Sequence, residues 1–151
     1  MKYKKQLFDL IFKEVQTFLK LDFYTINFNF NKEDDDWYSA ILEDCDYIHF
    51  SAKISISNDV RIMLDDKDNL DAIILLLIHE MCHIFTSMWS KIFINQRDYF
   101  QRFIWDHTLV DLHNQMLWYE EQMTNVIDKV LFEQFKKTKS YRDIKKVSKL
   151  K

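Results

Sequence analysis

Hydrophobic positions recur with a helical period at the start of the chain. Leu7, Leu10, Ile11, Val15, Phe18 and Leu19 share one face of residues 3–20 and polar residues take the other, which predicts an amphipathic helix. The period then shortens to two. FYTINFNF (23–30) alternates polar and apolar as a half-buried strand does, and an acidic turn, NKEDDD, follows. WYSAIL (37–42) and YIHFSAKISIS (47–57) are the next strands, the second alternating through Ile48, Phe50, Ala52, Ile54 and Ile56. Asn58-Asp59 makes a turn into a further strand at VRIML (60–64). The connections are too short for crossover helices, so three or four strands are expected to pair mostly antiparallel.

Beyond Leu64 the pattern becomes helical. Asn69 is placed to cap a helix with Asp71 in its first turn, and an apolar helix then runs to about Ile92. NQRDYFQRFIWDH (95–107) reads equally as helix or loop. Thr108 with Asp111 three residues on resembles a capping box, so a long helix is expected from there to about Lys136. The pattern therefore predicts an α+β fold: an N-terminal helix, a small sheet, an apolar helix and a long C-terminal helix. Residues 1–136 read as a single domain and 137–151 as a basic tail.

At 151 residues, with 48% hydrophobic, 16% aromatic and 30% charged residues, the chain suits one folded domain with a real core and excludes wholesale disorder. Glycine and proline are both absent, so turns fall to residues that tolerate left-handed backbone or bond their own main chain. Asn31, Asp34 to Asp36, Asp44, Asp46, Asn58, Asp59, Asp65, Asp66 and Asn95 are the candidates.

The net charge of −3 is unevenly spread: residues 136–151 carry eight basic groups and one acidic, +7, leaving −10 elsewhere. Such an end is a solvated helix or tail, or a weak nucleic-acid or acidic-partner patch. The longest apolar run, Ala72 to Ile78, is far too short to cross a bilayer. The basic start is interrupted by Asp9, Lys13 and Glu14 and lacks a small-residue cleavage site, unlike a signal peptide. A cytoplasmic protein without membrane attachment is expected, and Cys45 and Cys82 then read as free, packed thiols.

One stretch breaks the apolar rule. LLLIHEMCHIF (75–85) sets His79, Glu80 and His83 inside hydrocarbon, where each unpartnered polar group costs several kcal/mol. Residues four apart on a helix lie one above the other, so His79 and His83 can offer two imidazole nitrogens to one ion. Glu80, about 100° round the same turn, can reach a water on that ion. This is the HExxH arrangement of zinc metallopeptidases, with Zn2+ as cofactor and Glu80 as general base. Cys82 points away from the histidines.

Catalytic zinc usually takes three protein ligands. WYEEQMTNVID (118–128) is the first place to look for the third. On a helical wheel centred at Glu120, Leu109, Leu112, Met116, Met123, Ile127 and Leu131 fall between about −80° and +20°. Glu120 therefore faces inward and is the expected ligand. Glu121, a further 100° round with Asp128 nearby, reads as a solvated group or one behind the ligands. His113 shares the Glu120 face and stays open as an alternative ligand, as does Glu121 if the helix is rotated. Thr86 and Trp89 exclude the extended form of the motif with Gly and a third His.

Taken together, H-E-M-C-H, a preceding small sheet and a later helix with an inward glutamate resemble the zincin metallopeptidases, over roughly residues 47–135. The likeness is to the Glu-liganded branch and to minimal zincin-like (SprT-like) proteins of bacteria and phages. It implies an edge strand beside the motif helix that binds substrate in extended form, AKISIS (52–57) being that strand. Gluzincins often carry Asp four residues after the ligand Glu; here Thr124 follows Glu120 at that spacing and Asn125 follows Glu121. The function implied is hydrolysis of a protein or peptide bond, with Tyr119, His113, Tyr99 or His107 as oxyanion donor. Two other functions fit the residues: a metal-binding partner protein without turnover, such as a phage-encoded regulator, and a nucleic-acid-associated protein using residues 136–151. Oligomeric state is open.

Overall fold

The computed structural model describes residues 2–30, 40–87 and 106–149. The first helix, α1 (Lys2–Phe18), buries Leu7, Phe8, Ile11, Phe12 and Val15 on one face. Its end is a Schellman turn: the Leu21 N–H reaches the Gln16 carbonyl and the Lys20 N–H the Thr17 carbonyl. Glycine usually takes the left-handed position of this turn, but here Lys20 holds it at φ 60°. A non-glycine residue there costs about 1–2 kcal/mol. Lys20→Gly is therefore expected to stabilise the fold by about 1 kcal/mol, raising the thermal midpoint by about 2–4 °C.

Three strands follow, β1 (Thr25–Phe30), β2 (Ala40–Asp46) and β3 (Ser51–Ile56), in the order β1-β3-β2. The sheet is mixed. β2 and β3 form an antiparallel hairpin, whereas β1 pairs with β3 in parallel, Thr25 opposite Ser51 and Phe30 opposite Ile56. The expectation of mostly antiparallel pairing assumed that neighbours in sequence pair. Here β2 serves as the return leg between β1 and β3, so a parallel pair arises without a crossover helix. It also corrects the expected edge strand: β3, which contains AKISI, is central, and β2 lies at the edge.

Two further strand boundaries shift. Tyr47 to Phe50 form the β2–β3 turn rather than strand, leaving Ile48 83% exposed. The Asp46 carboxylate holds this turn by accepting the Ile48 and His49 N–H groups at 2.8 and 3.0 Å. The expected fourth strand at VRIML is instead part of a helix, α2 (Asn58–Met63). Ser57 caps it by accepting the Asp59 N–H at 3.2 Å, and Val60 within it and Leu64 at its C-cap, one helical turn apart, are buried.

A 3-10 turn, Lys67–Asn69, leads into α3 (Leu70–Thr86). Asn69 makes no side-chain cap, because the turn delivers it already in helical backbone (φ −84°, ψ −5°). Residues 88–92, into which this helix was expected to run, lie outside the described residues. α3 is the centre of the molecule, packing against α1, α2, β2 and the long helix α4 (Asp106–Phe135). Phe8 and Phe12 of α1 meet Phe28 of β1 at ring distances of 5.0 and 4.7 Å, which closes the core over the sheet.

The basic end is no loose tail. It forms α5 (Lys139–Ser148), capped by Thr138, with Ile144 wholly buried and the helix packed on α1. The Tyr141 hydroxyl donates to Asp71 at 2.9 Å and Lys145 Nζ lies 2.7 Å from the same carboxylate, tying α5 to the start of α3. Phe135 joins these parts, its buried ring 5.1 Å from Phe18 and 6.2 Å from Tyr141. Phe135→Ala is expected to cost about 3–5 kcal/mol, measurable by urea unfolding. No helix among the described residues is long and apolar enough to cross a membrane.

Candidate metal centre

The burial of α3 on nearly every side places its polar residues at the junction with β2 and α4. Their partners come from those elements. His79 and His83, one turn apart, bring their Nε2 atoms within 3.1 Å of each other. The Glu121 carboxylate of α4 faces both: Oε1 lies 3.6 Å from His79 Nε2, and Oε2 3.4 Å from His83 Nε2. Among the described residues these three form the one group of His, Cys, Asp or Glu able to hold a metal ion.

Behind each imidazole stands a carboxylate. His79 Nδ1 is 2.8 Å from Asp128 Oδ2, and His83 Nδ1 is 3.1 Å from Glu120 Oε1. An ionised carboxylate has no hydrogen to give, so each Nδ1 must carry it and donate. In the neutral rings both Nε2 atoms then present lone pairs to one another and to Glu121. A cation placed between them satisfies all of these lone pairs at once. An ion held tetrahedrally by bonds of about 2.0–2.1 Å needs donors about 3.3–3.4 Å apart. The shortest separations, 3.1, 3.4 and 3.6 Å, lie on either side of that value, and one donor atom from each residue lies within 4.8 Å of the others, so a small adjustment that brings one Glu121 oxygen to both rings would seat such an ion.

The electrostatics agree. Burial lowers the basicity of His83, but the hydrogen bond to Glu120 and the charges of Glu80, Glu120 and Glu121 outweigh it and raise its pKa. The field that favours a proton there favours a metal ion also. Asp128 is buried, and its Oδ1 has no hydrogen-bond partner among the described residues, leaving His79 to justify its charge. Removing a carboxylate that orients a ligand typically costs 10–100-fold in metal affinity. Asp128→Ala is expected to weaken metal binding by about that factor, read by competition with a chromophoric chelator.

Glu80 is oriented differently. It is 4% exposed, and its Oε2 accepts the Leu42 N–H of the edge strand β2 at 2.8 Å. Burial pushes its carboxyl above the usual carboxylate range and Glu121 adds to the rise, against the pull of His83, His79 and the Leu42 N–H. A carboxyl so placed, with Oε1 left over, is suited to taking up and releasing a proton. It borders a cleft of about 470 Å3 between β2 and α4, walled also by Leu42, Asp44 and Ser87. That volume is in the range of small-ligand and peptide side-chain sites.

Of the sequence candidates, His79, Glu80, His83 and Glu121 line this cleft together, and Glu120 does so from behind His83. The third position of the metal set thus falls to Glu121, the alternative, rather than Glu120. His113 is half-buried on α4, outside the cluster. Tyr119 is 60% exposed, its ring against Trp118, and is not a lining residue. Tyr99 and the His107 side chain lie outside the described residues. Asn125, four residues after Glu121, donates to Glu121 Oε1 at 2.9 Å. The Leu42 N–H escaped the sequence reading. Asp128, noted there beside Glu121 as solvated or behind the ligands, lies two turns after Glu121 on the same face and engages His79. Cys82 and Cys45 are buried and form no disulfide with each other; burial and Asp128 push the Cys82 thiol up to about 12, consistent with packing.

Comparison with protein families, curated proteins and solved structures finds no match to this chain.

Proposed function

We propose that the protein is a zinc-dependent peptidase of the zincin type, acting on a protein or peptide. The observation that carries this reading is the combination of two facing imidazoles, a third donor and a separate buried carboxyl, Glu80, beside the same open cleft. Two nitrogens and one carboxylate oxygen form a donor set typical of catalytic zinc, which keeps a position for water. Bound there, zinc supplies the charge that acidifies a water and polarises a scissile carbonyl.

The chain's own groups supply the rest. Asp128 and Glu120 hold the two rings with Nε2 toward Glu121. The Leu42 N–H holds Glu80 through Oε2, so that Oε1 takes the proton of the attacking water and passes it to the leaving amine as the C–N bond breaks. β2, the edge strand of the described sheet, runs along the cleft, where an extended peptide can add as a further strand.

The test is incubation of the zinc-loaded protein with a mixed peptide library, read by mass spectrometry. New amine and carboxyl termini that vanish on adding 1,10-phenanthroline support the reading. Stoichiometric zinc without cleavage of any peptide or unfolded protein would leave a binding protein in its place.

A further inference from the structure

The long helix α4 turns polar groups inward. The face turned to α3 carries Glu120, Thr124 and Asp128, while a flank about a third of a turn away exposes a continuous apolar stripe. Val126 is 66% exposed, Tyr119 60%, Val130 58%, Met123 50% and Leu112 37%, with Met116 half-buried among them.

The stripe has a register. Residues 112, 116, 119, 123, 126 and 130 are spaced four, three, four, three, four, the heptad seam by which one α-helix packs along another. Soluble monomers rarely expose more than a few hundred Å2 of contiguous apolar surface. These six residues expose on the order of 500 Å2, and two copies together about 1,000 Å2, the size at which a specific interface becomes expected.

We infer that α4 pairs antiparallel with α4 of a second copy of this chain, forming a twofold dimer. Two observations select this occupant. The larger side chains, Leu112, Met116 and Tyr119, lie toward the start of the stripe and the smaller ones, Val126 and Val130, toward its end. Antiparallel pairing sets Leu112 against Val130 of the second copy, Met116 against Val126 and Tyr119 against Met123, which evens the volume of every layer; parallel pairing would stack large on large. The charge pattern also permits self-association: Gln115, Gln122 and Lys129 flank one side, so no like charges oppose each other there. On the other flank the Glu120 carboxylate is turned onto His83 and only 11% exposed.

The experiment measures the mass of the full chain in solution and then maps the contact. At about 50 μM, above the micromolar Kd expected of a modest interface, sedimentation should give twice the 18.6 kDa chain mass. Val126→Lys should give the single-chain mass with unchanged circular dichroism, whereas Ile62→Lys, exposed on α2, should remain a dimer. Under mild oxidation Gln122→Cys, next to the twofold axis, should form a covalent dimer. Leu112→Cys should not, since antiparallel pairing separates the two copies of that position by about 27 Å. A wild-type chain of single mass, a folded Val126→Lys dimer, or crosslinking at both positions each overturns the proposal.

Discussion

Glu121→Ala is expected to weaken zinc binding about 1,000-fold, and Glu120→Ala only about 10-fold. The difference follows from which atoms the carboxylates face. Structural zinc sites with four ligands are worth about 10–16 kcal/mol, so one donor contributes roughly 3–4 kcal/mol, two to three orders of magnitude in Kd. Glu121 faces both Nε2 atoms, where a metal ion would sit. Glu120 touches only Nδ1 of His83, from behind, and its loss should have the milder effect of a misoriented ligand. Chelator competition on the two variants measures both numbers. A larger loss from Glu120→Ala than from Glu121→Ala would mean that α4 presents its other carboxylate to the ion.

Glu80→Gln should leave zinc affinity and thermal midpoint nearly unchanged and lower the rate of peptide cleavage by about 1,000-fold, within the range general-base catalysis supplies. The amide is the same size as the carboxylate, and its oxygen can still accept the Leu42 N–H, so the strand and helix stay joined. What it cannot do is hold a proton in transit. The comparison of kcat with bound zinc therefore isolates chemistry from folding. Equal rates for the two proteins would assign the base elsewhere or remove the enzymatic reading altogether.

The motif on α3 was legible because its signal is local: HExxH on a helix fixes the relative placement of three side chains whatever surrounds them. The rotation of α4 was not. A wheel drawn on Leu112, Met123 and Ile127 put those residues inward, yet all three are substantially exposed, and the helix is turned about a quarter of a revolution so that Thr124, Asp128 and Phe135 face the core. Hydrophobic periodicity assumes that the inner face is the apolar one, and it fails where the inner face is built to serve a polar site. The sheet shows a second limit. Alternation identified the residues of β1 and β3, but partner choice depends on how β2 returns the chain, which no short-range pattern records. VRIML failed for a simpler reason: five residues with four apolar positions suit either period, and the Ser57 cap decided for helix.

The quarter turn of α4 implies a contest during folding. Apolar contact alone would roll the helix until Leu112, Met123 and Ile127 met α3, and an otherwise sound but chemically silent molecule would result. Opposing that roll are the paired threonines Thr86 and Thr124, 2.9 Å apart, and the acids reaching for the two imidazoles. The polar cluster thus acts as an orientation key, selecting one of two ways to lay the same rod in its groove. A chain stripped of Glu120, Glu121, Thr124 and Asp128 would lose that key, and with it the reason for its grease to face outward.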